Sequence, residues 1–239
     1  MYRKIKNFLM GTNIDFIKED IYEGEYNGEN YEGYGVYKWR DGDRYEGYWR
    51  NSKFDGIGKM IYSDGEVYEG KFIDGKRSIG KYYYLGGDMY EGEWLGLEVH
   101  GKGKMLYSEG AVYEGYFEND KYHGKGKLTI NENYIYSGEF RYGYLEGYGK
   151  LLDFDKEYEG EFKESEYHGY GKILYDNGDI YEGSWNHGKE EGKGKFIWSD
   201  GAIYEGSFKN GKMNGYGSFR PRYGKVCIGE FENGEYVGR

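Results

Sequence analysis

Apolar and polar residues alternate along short stretches of this chain, and turn-forming dipeptides separate the stretches. In a representative stretch, Tyr45, Gly47 and Trp49 occupy every second position, with Glu46 and Tyr48 between them. Such alternation places every second side chain on the same face of a β-strand. No segment has the 3.6-residue period of an amphipathic helix. The pattern therefore predicts an all-β chain built from short strands.

The tripeptide Tyr-Glu-Gly recurs along almost the whole chain. Its tyrosine lies at positions 22, 45, 68, 90, 113, 158, 181 and 204, and Tyr136-Ser137-Gly138 fills the one gap. The resulting interval is 22 or 23 residues throughout, and Cys227-Ile228-Gly229 begins a degenerate last copy. A fixed period of this length is the signature of a repeat architecture. The chain is therefore predicted to contain nine full repeats and a partial tenth.

Each repeat has the features of a β-hairpin. The first arm reads Tyr-x-Gly-x-aromatic, a dipeptide such as Asn210-Gly211 supplies the positive φ of a tight turn, and the second arm carries Gly-x-Gly before an apolar residue. If the apolar positions share one face, the repeat tyrosine lies opposite that apolar residue and glycine lies opposite glycine. The first-arm aromatic residue is then predicted to lie opposite the first glycine of Gly-x-Gly, which has no Cβ to obstruct a ring.

The same register places glutamate opposite lysine on the other face of the hairpin. Cross-strand pairs of this kind contribute roughly 0.2–1 kcal/mol each. The predicted pairs are Glu46–Lys59, Glu69–Lys81, Glu91–Lys104, Glu114–Lys127, Glu159–Lys172 and Glu182–Lys195.

A single hairpin is marginally stable in water, so neighbouring repeats must pack on one another. We predict an elongated single-layer antiparallel sheet of stacked β-hairpin repeats over residues 20–239, with an N-terminal extension or cap at residues 1–19. Two repeats are one residue short. Ser78-Ile79-Gly80 replaces Gly-x-Gly in the third repeat, and residues 152–155 form a shortened loop in the sixth. These two places are expected to bend the array.

The repeat resembles the MORN repeat (membrane occupation and recognition nexus). Residues 181–194, which read Tyr-Glu-Gly-Ser-Trp through to Gly-Lys-Gly, match its pattern closely, and the resemblance covers almost the whole chain. It implies a single-layer hairpin sheet and a binding role, because MORN repeats are accessory modules in junctophilins, plant phosphoinositide kinases, radial-spoke proteins and parasite cytoskeletal scaffolds. It implies two kinds of ligand, membrane lipid or a peptide held in an aromatic groove, and some members dimerise. No kinase, methyltransferase or membrane-anchor segment accompanies the repeats here.

Composition and net charge limit the kinds of partner that the chain is expected to bind. The chain has 44 glycines, 32 tyrosines and a net charge of −10. That charge opposes general binding to nucleic acid or to anionic lipid. A single cysteine, Cys227, fits a reducing cytoplasmic compartment, and no signal peptide or membrane-spanning stretch is recognised.

Some motifs resemble metal-binding, phosphate-binding or catalytic sites, but each has a simpler structural explanation. His100, His123 and His168 occupy equivalent positions, and adjacent members such as His100 and His123 are predicted to lie about 10 Å apart, too far to share a zinc ion. Gly-Lys-Gly-Lys, as at residues 101–104, lacks the spacing of a phosphate-binding loop. The repeated glutamates are equivalent to one another, whereas catalytic carboxylates differ in environment. The sequence therefore predicts a non-enzymatic protein with no cofactor and no metal.

The aromatic stripe is the predicted binding site, because an exposed aromatic patch usually marks an interface. We expect it to hold a peptide or helix of a partner protein, or a second copy of the chain, in a cytoplasmic assembly associated with the cytoskeleton, the cilium or the underside of the plasma membrane. The alternatives are a peripheral adaptor for anionic lipid headgroups, favoured by lysines such as Lys102 and Lys193, and a regulatory subunit of an enzyme on another chain. The predicted groove residues are Tyr22, Tyr26, Tyr45, Trp49, Tyr68, Phe72, Tyr90, Trp94, Tyr113, Phe117, Tyr136, Phe140, Tyr158, Phe162, Tyr181, Trp185, Tyr204 and Phe208.

Overall fold

The computed structural model describes residues 19–238. The predicted N-terminal extension therefore lies outside the described residues, apart from Glu19. The chain divides into two compact units, the first ending at Gly75 and the second beginning at Lys76. The division falls within the third repeat, which lacks Gly-x-Gly.

Each repeat contributes two strands. In the first unit the described strands are β1 (Ile21–Asn27), β2 (Asn30–Lys38), β3 (Arg44–Arg50), β4 (Lys53–Ile61) and β5 (Val67–Ile73). In the second unit they are β6 (Lys76–Tyr83), β7 (Met89–Gly96), β8 (Glu98–Leu106), β9 (Val112–Glu118), β10 (Lys121–Asn131), β11 (Tyr134–Arg141), β12 (Tyr144–Asp153), β13 (Lys156–Lys163), β14 (Glu166–Tyr175), β15 (Ile180–Asn186), β16 (Lys189–Ile197), β17 (Ile203–Lys209), β18 (Lys212–Arg220), β19 (Cys227–Glu232) and β20 (Glu235–Gly238).

Within each unit, every strand pairs antiparallel with the strand that follows it in the chain. Residues 19–238 contain no helix, so they also contain no helix that could cross a membrane. The prediction of an all-β antiparallel sheet of hairpins is confirmed. Every described strand belongs to the sheet of its own unit, so neither unit has a second layer of its own.

The register inside a hairpin agrees with the sequence in its first half and departs from it in the second. In the second repeat, Tyr45 lies opposite Met60 and Gly47 opposite Gly58, as predicted. A bulge then shifts the pairing, and Trp49 lies opposite Phe54 instead of Gly56. Gly56 has a φ of 117°, a conformation that glycine adopts readily and that re-aims the strand at the bulge.

The first glycine of Gly-x-Gly pairs instead with the aromatic residue of the next repeat. Gly56 lies opposite Phe72, Gly101 opposite Phe117, and Gly169 opposite Trp185. The predicted contact between a large ring and a glycine is therefore real, but it joins neighbouring hairpins rather than the two arms of one hairpin.

Candidate functional site

The predicted groove residues form the packed floor of one face of the sheet, which we call the ring face. The repeat tyrosines from Tyr45 to Tyr204 are completely buried, and the first-arm aromatic residues from Trp49 to Phe208 are 3–8 % exposed. The first repeat differs, because no described hairpin precedes it: Tyr22 is half-buried and Tyr26 is 57 % exposed. Most of the predicted set therefore supports the ring face from within, and its role in binding remains a prediction.

Each repeat tyrosine is fixed by a hydrogen bond and by two glycines. The Tyr181 hydroxyl donates to the carbonyl oxygen of Ser184 at 2.9 Å, and the same bond recurs in the other full repeats. The ring lies over Gly183 and Gly194. A Cβ at either glycine would come within 2.5–2.6 Å of the tyrosine hydroxyl oxygen, much closer than atoms approach in proteins. The glycine of Tyr-Glu-Gly and the second glycine of Gly-x-Gly therefore leave the space that the tyrosine ring occupies.

Further rings of the second arm and of the next repeat close around the tyrosine. Tyr113 stacks on Tyr122, with ring centroids 3.7 Å apart, and meets the edges of Phe117 and Phe140. Phe140 belongs to the following repeat, so the contact links two hairpins. Edge-to-face and stacked pairs of this kind contribute about 0.5–1.5 kcal/mol beyond the area that they bury.

Two of the first-arm tryptophans also bind to the preceding repeat through a hydrogen bond. The Trp49 indole N–H donates to the carbonyl oxygen of Gly35, and the Trp185 indole N–H donates to that of Gly171, each at 3.2 Å. The bond satisfies the buried indole and fixes the spacing between neighbouring hairpins.

Burial controls the ionisation of these rings. It raises the pKa of the Tyr113 and Tyr181 hydroxyls well above the usual value, because the phenolate would be desolvated. At the margin of the ring face, burial together with the nearby Glu190 carboxylate raises the pKa of Tyr175 to about 12. The aromatic hydroxyls of this face are therefore neutral donors at physiological pH.

A second set of aromatic residues borders the ring face, and the sequence prediction missed it. These rim aromatics follow the second arm by alternation, two residues after its apolar position, and all are half-buried. Trp39 lies against Tyr37 at 4.5 Å between centroids, and Trp198 against Phe196 at 4.6 Å. The rim aromatics are Trp39 and Tyr62 in the first unit, and Tyr84, Tyr107, Tyr175 and Trp198 in the second. Their recurrence at the repeat interval was the signal that could have identified them.

The opposite face of the sheet carries the glutamates and lysines. The predicted pairs within a hairpin are in register, as for Glu46 with Lys59 and Glu182 with Lys195. The ion pairs that close, however, join successive repeats: Lys59 binds Glu69 at 2.6 Å and Lys81 binds Glu91 at 3.4 Å. Because these side chains are largely exposed, each such pair contributes about 0–1 kcal/mol.

Across residues 19–238, no group of three or more His, Cys, Asp or Glu side chains converges as a metal ion would require. Two of the histidines each contact a single carboxylate: His187 lies 2.9 Å from Glu166, and His123 lies 3.1 Å from Glu118.

The fold and the ring face define a repeat protein of packed β-hairpins, with tyrosine, glycine and tryptophan at fixed positions. A family model described as the MORN repeat matches residues 22–44, 45–67, 90–112, 113–131, 136–155, 158–180, 181–203 and 204–220. The chain belongs to the MORN repeat family, which is a family of non-enzymatic repeats. The third repeat, which lacks Gly-x-Gly, falls between the matched segments.

Comparison with solved structures gives only distant likenesses. The TCP10 domain of Danio rerio CPAP is 11 % identical, over 82 % of this chain and 93 % of that one, with a TM-score of 0.44. The SAS-4 TCP domain of Drosophila melanogaster, solved with a proline-rich motif of Ana2, is 15 % identical over 73 % and 83 % of the two chains, with a TM-score of 0.30. No curated protein matches the chain. The function proposed below does not rest on these likenesses.

Proposed function

We propose that this chain is a non-enzymatic scaffold that binds a segment of a partner protein along the ring face, in a cytoskeletal or ciliary assembly. Family membership supports a binding module. The observation that carries the proposal is the set of half-buried rim aromatics in each unit, which stand beside a packed aromatic floor that no second layer of the same unit covers. Aromatic residues are the anchors that protein interfaces favour most.

The division between floor and rim assigns different roles to the two sets of rings. The floor residues hold the hairpins at a fixed spacing and make the surface rigid. The rim aromatics, such as Tyr107 and Trp198, keep part of each ring accessible. A peptide or helix crossing the strands would cover these rings in successive repeats, and a pre-formed surface avoids the ordering cost of binding.

The charge arrangement opposes the membrane alternative. The lysines of the opposite face alternate with glutamates across the strands, as in Lys172, Glu182 and Lys195. Alternating charges cancel beyond a Debye length, about 10 Å at 0.1 M salt, so this face offers little attraction to an anionic bilayer as a whole.

The test begins with affinity capture of the partner from cells that make the protein, followed by a binding titration with the purified partner. Trp198→Ala and Tyr107→Ala each remove a rim aromatic from the second unit. We expect each to weaken binding at least roughly tenfold, as truncation of an aromatic anchor does. Circular dichroism and thermal melting establish that the variants fold.

Tyr216→Ala is the matched control, because Tyr216 is an exposed tyrosine of the same unit on the opposite face. It should bind the partner within about twofold of the original chain. If Tyr216→Ala abolished binding while both ring-face variants bound normally, the partner would occupy the opposite face and the proposal would be wrong.

A further inference from the structure

On the opposite face of the second unit, charged residues form one row that crosses the strands from β6 to β17. Each member lies directly opposite the next in the strand register, so neighbours are one strand spacing apart, about 4.8 Å. Lysine from a second arm alternates with glutamate from a first arm. In order, the row reads Lys81, Glu91, Lys104, Glu114, Lys127, Ser137, Lys150, Glu159, Lys172, Glu182, Lys195 and Glu205.

Ser137 is the single interruption of this alternation. It lies opposite Lys127 on β10 and opposite Lys150 on β12, and all three side chains are exposed. The backbones of the two lysines lie two strand spacings apart, about 10 Å, with the serine between them. Every other interior position between two lysines of the row holds a carboxylate. At Ser137 the alternation is therefore short of one negative charge.

The neighbouring carboxylates already have other partners. Glu114 lies 3.7 Å from Lys104, and Glu159 accepts a hydrogen bond from the Tyr148 hydroxyl at 2.8 Å. Lys150 also contacts Glu157, at 2.6 Å, on the side away from Ser137, so a ligand at the gap would compete with that exposed ion pair for the Lys150 ammonium group. No carboxylate of the row stands between Lys127 and Lys150.

A depression of about 810 Å³ surrounds the gap. Three lysines and two glutamates line it, together with the hydroxyl groups of Ser137, Thr129 and Tyr148; the charged residues are Lys125, Lys127, Lys150, Glu114 and Glu139. A similar depression of about 740 Å³ lies further along the same face. Its charged lining is balanced, with Lys193 and Lys195 against Glu182 and Glu205. The excess of positive charge is specific to the Ser137 position.

We infer that this depression is a binding site for a phosphoryl group, which the Ser137 hydroxyl and the ammonium groups of Lys125, Lys127 and Lys150 would contact. A phosphomonoester carries up to two negative charges near pH 7 and offers several acceptor oxygens. It can therefore bridge two lysines about 10 Å apart more completely than a single carboxylate, and charge-assisted hydrogen bonds are the stronger kind. The group could belong to a soluble phosphomonoester or to a lipid headgroup, and the experiment separates these sources.

The direct test is a titration of the ¹⁵N-labelled chain with inorganic phosphate at constant ionic strength, followed by amide chemical shifts. We expect saturable shifts centred on Ser137 and Gly138, with a Kd on the order of millimolar. Ser137→Glu restores the carboxylate that the other repeats carry, so the variant should fold and should bind phosphate at least roughly tenfold more weakly. Lys127→Gln should also weaken binding. Equal shifts in the original chain and in Ser137→Glu would overturn the site.

A gain-of-function variant provides the matched control. Glu182 stands between Lys172 and Lys195, and a lysine and a tyrosine flank it as at Ser137, but on exchanged sides: Tyr170 is on the preceding strand and Lys193 on the following one. Glu182→Ser should therefore create a second phosphate site, with new saturable shifts on β15. If Glu182→Ser gains no site while Ser137→Glu still loses one, the charge gap is not what creates the first site, and the inference is wrong.

Vesicle sedimentation distinguishes the source of the phosphoryl group. Phosphatidylcholine vesicles containing phosphatidic acid present a phosphomonoester, whereas vesicles containing phosphatidylglycerol present only a diester. Pelleting with phosphatidic acid alone, lost in Ser137→Glu, would identify a lipid headgroup as the source. Saturable phosphate binding without pelleting would identify a soluble phosphomonoester. Equal pelleting on both anionic vesicles, unaffected by Ser137→Glu, would contradict a specific phosphoryl site.

Discussion

Two glycines and one hydroxyl decide the position of every repeat tyrosine. The hydroxyl of Tyr181 satisfies its hydrogen bond on the Ser184 carbonyl, while Gly183 and Gly194 leave the space that the ring occupies. A side chain at either glycine would collide with an aromatic ring that is fully buried. The chain is thus rich in glycine for two reasons: its turns need positive φ angles, and its strands need space for the tyrosine rings.

Gly194→Ala tests this close approach. Its Cβ would lie 2.5 Å from the Tyr181 hydroxyl oxygen and 2.6 Å from a ring carbon, so the ring or the strand must move. We expect the free energy of unfolding to fall by about 1–3 kcal/mol, the usual cost of overpacking. Urea denaturation measures the change. Gly86→Ala is the control, because a Cβ there meets no atom within 4 Å, and its stability should change by less than about 0.5 kcal/mol.

Alkaline pH should unfold the chain through its buried tyrosines. Burial raises the folded-state pKa of Tyr113, Tyr136 and Tyr181 above the ordinary value near 10, so the unfolded chain loses these protons first. Their contribution to stability is therefore complete below about pH 10, and it falls as pH rises further, by about 1.4 kcal/mol per pH unit for each tyrosine. Tyrosinate absorbance and circular dichroism should change together above pH 10. A gradual tyrosine titration with the fold intact would contradict the prediction.

Neighbouring strands from different repeats are joined by the first-arm aromatic residue. Trp185 lies opposite Gly169 of the preceding repeat, donates to the Gly171 carbonyl and meets the Tyr158 ring edge-on at 5.5 Å between centroids. Its role is therefore to hold one hairpin against another. This role explains why aromatic residues of two kinds, tryptophan and phenylalanine, occupy the position in successive repeats.

Trp185→Ala should consequently destabilise the fold rather than remove only a binding contact. The side chain is 4 % exposed, and truncation of a buried aromatic residue costs about 3–5 kcal/mol. Trp185→Phe should lose much less, because phenylalanine occupies the equivalent position in Phe162 and Phe208. Thermal unfolding of the two variants checks the order. Equal stability of Trp185→Ala and the original chain would contradict the packing role.

The sequence predicted the strand register near Tyr-Glu-Gly but not beyond the bulge. Alternation fixes which residues share a face, and this determined the pairing of Tyr45 with Met60. A bulge alters pairing without altering alternation, so the shift at Trp49 left no trace in the hydrophobic pattern. Packing of neighbouring repeats on one another was predicted, but not how completely it buries the rings, because the cover for each ring comes from the neighbouring repeat, which a single-repeat pattern does not show. The rim aromatics were overlooked although Trp39 and Trp198 recur in register.

At the scale of the molecule, each unit is a linear series of pairings between consecutive strands. Such arrays depend on nearest-neighbour interfaces, because a repeat contacts only the repeats beside it. The interfaces within the second unit are near copies of one another, with glycine opposite glycine and tyrosine opposite an apolar residue at each step. A whole repeat can therefore be removed while its neighbours still pair in register, whereas removal of part of a repeat leaves a strand unpaired.

Deletion of residues 181–203 removes one complete repeat and should preserve the fold. Phe208 would then face Gly169 in place of Trp185, so the pairing between hairpins continues in register. We expect cooperative urea unfolding with an m-value lower by about a tenth, in proportion to chain length. Deletion of residues 181–191 leaves an unpaired second arm and should lose cooperativity. Equal behaviour of the two deletions would argue against a repeat-by-repeat array.

Site-specific photo-cross-linking can establish whether a partner segment lies on the ring face. A benzophenone amino acid replaces Trp198 on the rim in one variant and Tyr216 on the opposite face in another, and each is irradiated with the captured partner. We expect covalent adducts from position 198 and none from position 216, with adducts suppressed by excess unlabelled protein. Adducts from position 216 alone would place the partner on the opposite face and would rule out binding along the ring face.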